Sequence, residues 1–374
     1  MPTIINDVQL DFDDVLIQPN PSDINSRKDV DITREYHFKY YPKTIRGTGI
    51  MAANMFATGN MATARVLQEH RMFTCLHKHF TYEQLESFLL ENQKSKYGND
   101  YIFISTGIRN EDYRKTCALL DKGLIDKICI DVPNGYVPAF ISYIKQMRAK
   151  YPNILIMAGN VVTPEKTHEI IRSGADISKN NIGNGSACVT RLQTGVGRPT
   201  LSTILDTSIS ARQSGGLLCS DGGITQPADI CKAFGAGSDF IMIGGMFAGA
   251  NEANGQTVKK YIMSNEVEFD ENNNPKPKIR IKEYKQFYGM SSEMAQNIHY
   301  NGMPSYRTSE GREMLIPCTG PLEDTIKKIE GGLRSMMTYI GAHTLDEIPN
   351  KTTFYKVRHQ VNTSLADKSR TINL

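Results

Sequence analysis

Residues 127–178 read KICIDVPNGYVPAFISYIKQMRAKYPNILIMAGNVVTPEKTHEIIRSGADIS and alternate between two kinds of pattern. Three short apolar runs predict β-strands, and the two amphipathic segments between them predict α-helices. The dipeptide Thr163-Pro164 marks a helix start, because proline suits the first helical position. Near-continuous apolar strands that alternate with helices are typical of a parallel sheet covered on both faces. In chain order the predicted elements are residues 127–131, 137–150, 154–158, 163–173 and 175–178.

The same alternation extends in both directions along the chain. Eight strand–helix units over about 200 residues favour an α/β fold of the closed (β/α)8 TIM-barrel type. An open, doubly wound sheet is the alternative that this pattern leaves open. The further predicted strands are residues 49–53, 72–76, 101–105, 216–220 and 240–244, and the further predicted helices are residues 82–93, 112–122 and 200–214.

Two stretches lie outside the eight units. Residues 1–47 are expected to form a cap or hairpin that leads into the barrel. Residues 259–285 include SNEVEFDENNNPKPKIRIKEYK, which is polar and charged and contains Pro275 and Pro277. Such a composition is typical of a mobile surface excursion, and we expect a mobile flap region over residues 259–312.

Composition excludes several classes of protein. The chain has 374 residues, no Trp and a net charge of +3, which argues against a nucleic-acid or membrane surface as partner. An odd count of seven cysteines, without metal-binding spacing, favours a reducing compartment. The amino terminus lacks the pattern of a secretory signal. The expectation is a cytoplasmic globular protein that binds a small molecule.

Glycine-rich segments follow the seventh and eighth predicted strands. They are Ser220-Asp221-Gly222-Gly223 and Gly244-Gly245. Phosphate groups in TIM barrels most often lie at these two loops, because glycine lets backbone N–H groups approach an anion closely. The pair of loops therefore predicts a phosphorylated ligand. Asp221 either accepts hydrogen bonds from ribose hydroxyls or caps the next helix.

The segment after the sixth predicted strand, NNIGNGSACVTR at residues 180–191, is the most distinctive of the chain. Glycine and asparagine tolerate positive φ, so an irregular loop with inward-facing carbonyl groups is expected. Cys188 on this loop is either an inert buried thiol or a nucleophile with Thr190 beside it.

Two further candidates are single residues. Glu293 either complements a helix N-terminus or, at the barrel mouth, carries protons. Lys78, which follows the second predicted strand, either lies in solvent or pairs with a phosphate.

Several motifs together resemble the inosine-monophosphate dehydrogenase/guanosine-monophosphate reductase family across almost the whole chain. The cysteine loop and the two glycine-rich loops carry this resemblance, with MAANM at residues 51–55 and residues 11–19. The motifs HKH at 77–79, YGMSSEMA at 288–295 and GGLRSMMTYIG at 331–341 resemble the reductase branch. Dehydrogenases of the family usually carry CBS modules after the second strand, and residues 80–101 are too few for them. The resemblance implies one catalytic domain over residues 1–374 without CBS modules.

The reductase branch implies NADPH-dependent conversion of GMP to IMP with release of ammonia, through a thioimidate on Cys188. Thr190 and Glu293 would carry protons, Gly183, Gly185 and Cys188 would offer carbonyls to K⁺, and the protein would be a homotetramer. The nucleotide-binding residues implied are Asp221, Gly222, Gly223, Gly244, Gly245, Gly289, Met290, Ser291, Arg307, Thr308, Ser309, Glu310 and Gly311. The cofactor-binding residues implied are Lys78, Asp131, Val132, Pro133, Met290, Tyr306 and Arg307.

The chain departs from the family at a few positions. Relatives usually have Val-Gly in place of Asn180-Asn181 and Pro in place of Asn184, and these changes bear on the K⁺ site. They also usually have Asp in place of Phe56 and Ala in place of Pro133. Two other functions remain open: a dehydrogenase that oxidises IMP with NAD, and a catalytically silent purine-nucleotide-binding barrel.

Overall fold

The computed structural model describes residues 2–271, 273–300, 302–306 and 308–358. Strands β1 (Val15–Ile17), β2 (Arg34–Tyr36) and β3 (Ile45–Gly47) precede the barrel. β2 and β3 form an antiparallel hairpin across the amino-terminal end of the barrel. From this hairpin the buried ring of Tyr36 packs on Phe240 and Phe73 at the starts of two barrel strands.

Eight parallel strands close into a barrel, which confirms the predicted (β/α)8 fold and excludes the open sheet. Each predicted strand is present with its bounds shifted by at most a few residues, and Lys127–Asp131 is reproduced as predicted. The strands are β4 (Ile50–Ala52), β5 (Phe73–Leu76), β6 (Ile102–Thr106), β7 (Lys127–Asp131), β8 (Leu155–Val161), β9 (Ile177–Asn180), β10 (Leu217–Asp221) and β11 (Phe240–Ile243).

Helices follow the barrel strands and cover the outside of the sheet. Their starts have local causes: the side chain of Thr81 caps the second helix in a capping box, and Pro164 occupies the first turn of the fifth. The helices are α1 (Met61–Glu69), α2 (Tyr82–Asn92), α3 (Asn110–Asp121), α4 (Pro138–Lys150), α5 (Pro164–Arg172), α6 (Thr190–Thr194), α7 (Thr200–Gln213) and α8 (Pro227–Gly235).

The segment after the barrel contains regular strands that the sequence interpretation did not predict. β12 (Thr257–Phe269) and β13 (Pro275–Tyr288) form a long antiparallel hairpin, and β14 (Glu313–Pro317) pairs with the last five residues of β13. The prolines therefore lie where β13 is an edge strand, a position that tolerates proline. The remaining elements are α9 (Glu293–Tyr300), α10 (Leu322–Ile340), β15 (Phe354–Lys356, paired with β1), and 3-10 turns at Phe12–Asp14, Arg27–Asp29, Leu345–Glu347 and Pro349–Lys351.

Large apolar side chains fill the barrel interior. Phe73, Phe103, Met157, Phe240 and Met242 are fully buried there. A filled interior restricts ligands to the loops at the carboxyl ends of the strands. None of the helices in the described part of the chain is long and apolar enough to span a membrane.

Candidate active site

One cavity of about 790 Å³ lies at the carboxyl end of the barrel, within the usual size range of ligand pockets. Among the predicted site residues, Ser309 and Glu293 do not line it, and Arg307 lies outside the described residues. The predicted residues that do line it are Lys78, Asp131, Val132, Pro133, Gly183, Gly185, Cys188, Thr190, Asp221, Gly222, Gly223, Gly244, Gly245, Gly289, Met290, Ser291, Tyr306, Thr308, Glu310 and Gly311.

The cysteine loop is held against the segment that precedes β14. Cys188 and Gly311 form an antiparallel bridge, and the backbone N–H of Val189 donates to the carbonyl of Glu310 at 2.8 Å. In the other direction, Arg312 donates its backbone N–H to Ala187 at 2.9 Å. These contacts fix the backbone on both sides of the cysteine.

Cys188, Thr190 and Glu310 form a continuous hydrogen-bonded chain. The thiol sulfur lies 3.1 Å from the Thr190 hydroxyl oxygen, and that hydroxyl donates to a Glu310 carboxylate oxygen at 2.8 Å. Because the hydroxyl proton points to the carboxylate, its oxygen can accept the thiol proton. Cys188 is half-buried and lines the cavity, so it is not the fully buried thiol of the alternative interpretation. The arrangement can move a proton between a nucleophile and a carboxylate.

Glu293 does not reach the cavity. Its side chain is exposed at the first position of α9, so the desolvation expected for a proton carrier is absent. This position matches the alternative that was considered, a carboxylate at the positive end of a helix. The carboxylate that contacts Thr190 instead belongs to Glu310, which the sequence interpretation assigned to substrate binding.

The two glycine-rich loops converge on the cysteine loop. Gly222 and Gly223 have φ of +86° and +79°, which L side chains rarely adopt. A Cβ added at Gly222 would lie 3.2 Å from the backbone of Gly185, and one at Gly245 would lie 2.9 Å from the Ser186 hydroxyl. The positive φ at Gly222 and Gly223 favours glycine, and the backbone of Gly185 leaves little room for a side chain at Gly222. The juxtaposition leaves backbone groups lining the cavity beside Cys188.

A buried lysine that the sequence interpretation missed joins two of the predicted residues. Lys179 is 1% exposed, and its ammonium group lies 2.7 Å from Asp131 and 2.6 Å from Asp221. Burial opposes charge on this lysine, but the two carboxylates outweigh it and raise its pKa. Burial likewise acts to raise the pKa of Asp131, and Lys179 holds that pKa below its ordinary value. Asp131 therefore stays ionised at the cavity wall.

Asp221 has a second anchor on the same oxygen as Lys179. The Asn160 side-chain amide donates to this oxygen at 2.9 Å, and it also donates to the carbonyl of Asn181 at 2.9 Å. The other carboxylate oxygen of Asp221 has no hydrogen bond from any residue in the described ranges. The geometry suits the predicted acceptance of hydrogen bonds from ribose hydroxyls.

The asparagines of the cysteine loop each have a defined local role. Asn181 adopts φ of +105°, which confirms that asparagine supplies the left-handed geometry expected there. The Asn180 amide donates to Thr167 at 3.0 Å, and the Asn184 amide donates to the carbonyl of Arg198 at 3.0 Å. The side-chain oxygens of Asn181 and Asn184 are buried, with no hydrogen-bond partner among the residues described.

The other side of the cavity is basic. Lys78 follows β5 and Arg109 precedes α3, and both cations lie over the ring of Tyr300, at 5.8 and 5.6 Å from its centroid. Neither forms a salt bridge with a described carboxylate, although Asp112 lines the same wall. In the closed barrel β6 lies opposite β10, so this basic side faces the glycine-rich loops across the mouth.

Phe56 packs beside the cavity without lining it. Its ring stacks on Tyr288 at 5.8 Å and contacts His77 at 5.6 Å. Burial lowers the pKa of His77 to about 3, so that imidazole is neutral. The phenylalanine therefore forms part of an aromatic layer beneath the β13–α9 connection.

The fold and the cavity together define a TIM-barrel enzyme whose cysteine loop lies beside two glycine-rich loops at the carboxyl end of the strands. The chain belongs to the IMP dehydrogenase/GMP reductase family, because the family profile described as "IMP dehydrogenase / GMP reductase domain" matches residues 9–364. It is 42% identical over 363 residues to human GMP reductase 2, covering 97% of this chain and 98% of the relative. It is 41% identical over 360 residues to GMP reductase from Aeromonas hydrophila, covering 96% and 98%. It is 40% identical over 369 residues to GMP reductase from Onchocerca volvulus, covering 98% and 96%.

Proposed function

We propose that this enzyme is an NADPH-dependent GMP reductase, which converts GMP to IMP with release of ammonia. The hydrogen-bonded chain Cys188–Thr190–Glu310 at the cavity wall carries the proposal. It supplies the nucleophile and the proton path that replacement of an aromatic amino group requires. The similarity to GMP reductases over nearly the full length supports the choice of substrate.

In the first step, Cys188 loses its proton through the Thr190 hydroxyl to the Glu310 carboxylate. The thiolate then adds to C2 of the guanine ring, and the C2–N bond breaks. The departing amino group takes the proton back from Glu310 through Thr190 and leaves as ammonia. The product is a thioimidate between C2 and the Cys188 sulfur, so one difficult displacement is divided into two easier steps.

In the second step, a hydrogen replaces sulfur at C2. NADPH, when bound, supplies this hydrogen as a hydride. The C2–S bond then breaks, IMP is released, and Cys188 leaves as a thiolate that takes up one proton from solvent. Lys78 and Arg109 provide the positive charge that the phosphates of such a cofactor need. The other proposed cofactor-binding residues that line the same cavity are Asp131, Val132, Pro133, Met290 and Tyr306.

The remaining residues would orient GMP. Gly222, Gly223, Gly244 and Gly245 offer backbone N–H groups to the phosphate. Asp221, oriented by Lys179 and Asn160, accepts from the ribose. Residues 289–291 and 307–311 would complete the nucleotide site. Ser309 would act through its hydrogen bond to the carbonyl of Gly311.

We also propose a K⁺ ion on the cysteine loop, held by carbonyls of Gly183, Gly185 and Cys188. The two unpartnered amide oxygens of Asn181 and Asn184 add acceptors nearby, and oxygen ligands suit such a cation. The guanidinium of Arg191, packed against Gly183, competes for the same space. We also expect a homotetramer, which the resemblance to the family implies. A cytoplasmic location is consistent with the seven free cysteines.

Substitution of the nucleophile provides the main test. Wild-type protein with GMP is expected to give an adduct on one thiol by intact-protein mass spectrometry, and Cys188→Ala is expected to give none. The variant should still bind GMP but lose NADPH oxidation. Cys318→Ala, at the other partly exposed cysteine, serves as the matched control and should keep both properties.

The alternatives predict different results in the same assays. NAD reduction with IMP and no NADPH oxidation with GMP would favour the dehydrogenase. GMP binding without turnover in either direction would favour a silent barrel. NADPH oxidation retained in Cys188→Ala would exclude the covalent route.

A further inference from the structure

The long hairpin of β12 and β13 has an apolar face over its distal part, whereas nearer the base the same face carries the ion pair Lys259–Glu283. Residues directly opposite each other in an antiparallel pair point to the same face of the sheet, and alternate residues point to the other face. The register therefore places eight apolar side chains together, with no charged residue among them. The opposing pairs are Tyr261 with Ile281, Met263 with Ile279, Val267 with Pro277, and Phe269 with Pro275.

The opposite face of the hairpin carries its charges. Lys276 pairs with Glu268 at 3.3 Å, and Lys278 pairs with Glu266 at 3.2 Å. Arg280 also contacts Glu266. Ile262, opposite Arg280, is an apolar residue on this charged face and is 37% exposed. In the distal part of the hairpin the charges are thus separated from the apolar face, as in a sheet with one covered and one solvated face.

No described part of the chain covers the apolar face. Its large side chains are more than half exposed, whereas Phe287 and Tyr288 at the base of the hairpin are 1% and 6% exposed. β14 pairs only with Tyr284–Tyr288, so among the described residues no third strand pairs with the distal part of the hairpin. The exposed fractions are 70% for Tyr261, 75% for Met263, 60% for Val267, 63% for Phe269, 57% for Ile279 and 56% for Ile281.

We propose that this face binds the same face of a second copy of the chain. Six such side chains and the two prolines offer about 600–700 Å² per copy, so a face-to-face pair would bury about 1,300 Å², within the range of stable interfaces. A twofold axis needs only one self-complementary patch. The distal apolar face carries no charge, so two copies of it meet without electrostatic repulsion. Two such ribbons stack as the sheets of a sandwich do, about 10 Å apart.

Substitutions at neighbouring positions of β12 test this contact, because adjacent residues lie on opposite faces. The molar mass of the full-length protein is measured by size-exclusion chromatography with light scattering. Tyr261→Lys/Met263→Lys is expected to halve the wild-type mass, whatever further assembly the barrel makes. Ile262→Lys adds the same kind of charge on the other face and is expected to keep the wild-type mass.

Circular dichroism and GMP binding verify that each variant is folded. If the double variant is unfolded, Phe269→Lys near the hairpin tip replaces it and carries the same expectation. Equal masses for the wild type and the apolar-face variant would overturn the proposal. An apolar face that binds lipid vesicles and not a second copy would give this result. An equal loss of mass in Ile262→Lys would also overturn it. None of these outcomes depends on the proposed reaction.

Discussion

Replacement of the buried lysine by methionine is the sharpest test of how the cavity wall is held. Lys179→Met keeps most of the side-chain volume and removes the ammonium group that lies 2.7 Å from Asp131 and 2.6 Å from Asp221. The two carboxylates are 33% and 21% exposed, so solvent only partly replaces the lost charge. We expect a less stable protein with weaker GMP binding, because Asp221 loses the partner that orients it.

The size of the effect follows from the geometry. Because both carboxylate oxygens contact one nitrogen atom, they are at most roughly 5 Å apart, where two negative charges repel by about 3 kcal/mol at an effective dielectric constant of 20. Removal of one partner from a buried ion pair typically costs about 3–5 kcal/mol. The free energy of unfolding at pH 7 should therefore fall by about 3 kcal/mol.

Urea denaturation and calorimetric titration with GMP measure these changes. Lys179→Met/Asp131→Asn removes one of the two repelling charges, so it should regain most of the lost stability. In Lys179→Met the repulsion raises the pKa of the carboxylate pair above its value in the unfolded chain, so the deficit should shrink as the pH falls from 7 to 5. A loss below about 1 kcal/mol, or a double variant less stable than the single one, would refute this electrostatic account.

Two further predictions concern carboxylates. Glu310→Gln should lower kcat by about 10²–10⁴-fold, because the proton path through Thr190 is lost, and single-turnover experiments should show ammonia release slowed more than hydride transfer. Glu293→Gln should change kcat little. A large loss of kcat in Glu293→Gln with a small loss in Glu310→Gln would assign the proton transfer to Glu293. Asp126 is mostly buried, which opposes its ionisation, but Lys127 at 2.6 Å outweighs burial and lowers its pKa from 3.8 to about 2. Its ionised form therefore adds about 2 kcal/mol above pH 4 that disappears as the pH falls towards 2. Asp126→Asn should lower the free energy of unfolding by this amount at pH 7, and that free energy should then fall less steeply between pH 4 and pH 2. Urea denaturation measures it, and a pH dependence equal to that of the wild type would contradict the prediction.

Local patterns were sufficient for the barrel and for most of its ligand-facing loops. Strand 127–131 and helix 137–150 were predicted within a residue, because an apolar run and a helical period are properties of consecutive residues. The glycine pairs at 222–223 and 244–245 were informative for the same reason. The role proposed for them depends on backbone freedom, which the residue type itself supplies.

The hairpin shows where composition misled the interpretation. Residues 259–285 are polar and charged, which suggested a mobile surface excursion, yet Tyr261, Met263, Ile279 and Ile281 recur with period two on either side of the turn. This alternation is the signal of a strand with one apolar face. Whether the flap is mobile stays a prediction.

The amino-acid sequence was sufficient to predict the strands, helices and glycine turns, because these depend on neighbouring residues. It also singled out Cys188 as a candidate site residue. It could not supply the partners of those residues. Thr190 and Glu310 are 120 positions apart, and Lys179 bonds to carboxylates at the ends of two other strands. Such contacts exist only after the barrel has closed, because closure brings the strand ends to one rim, and for that reason sequence order did not reveal the hydrogen bond between Thr190 and Glu310.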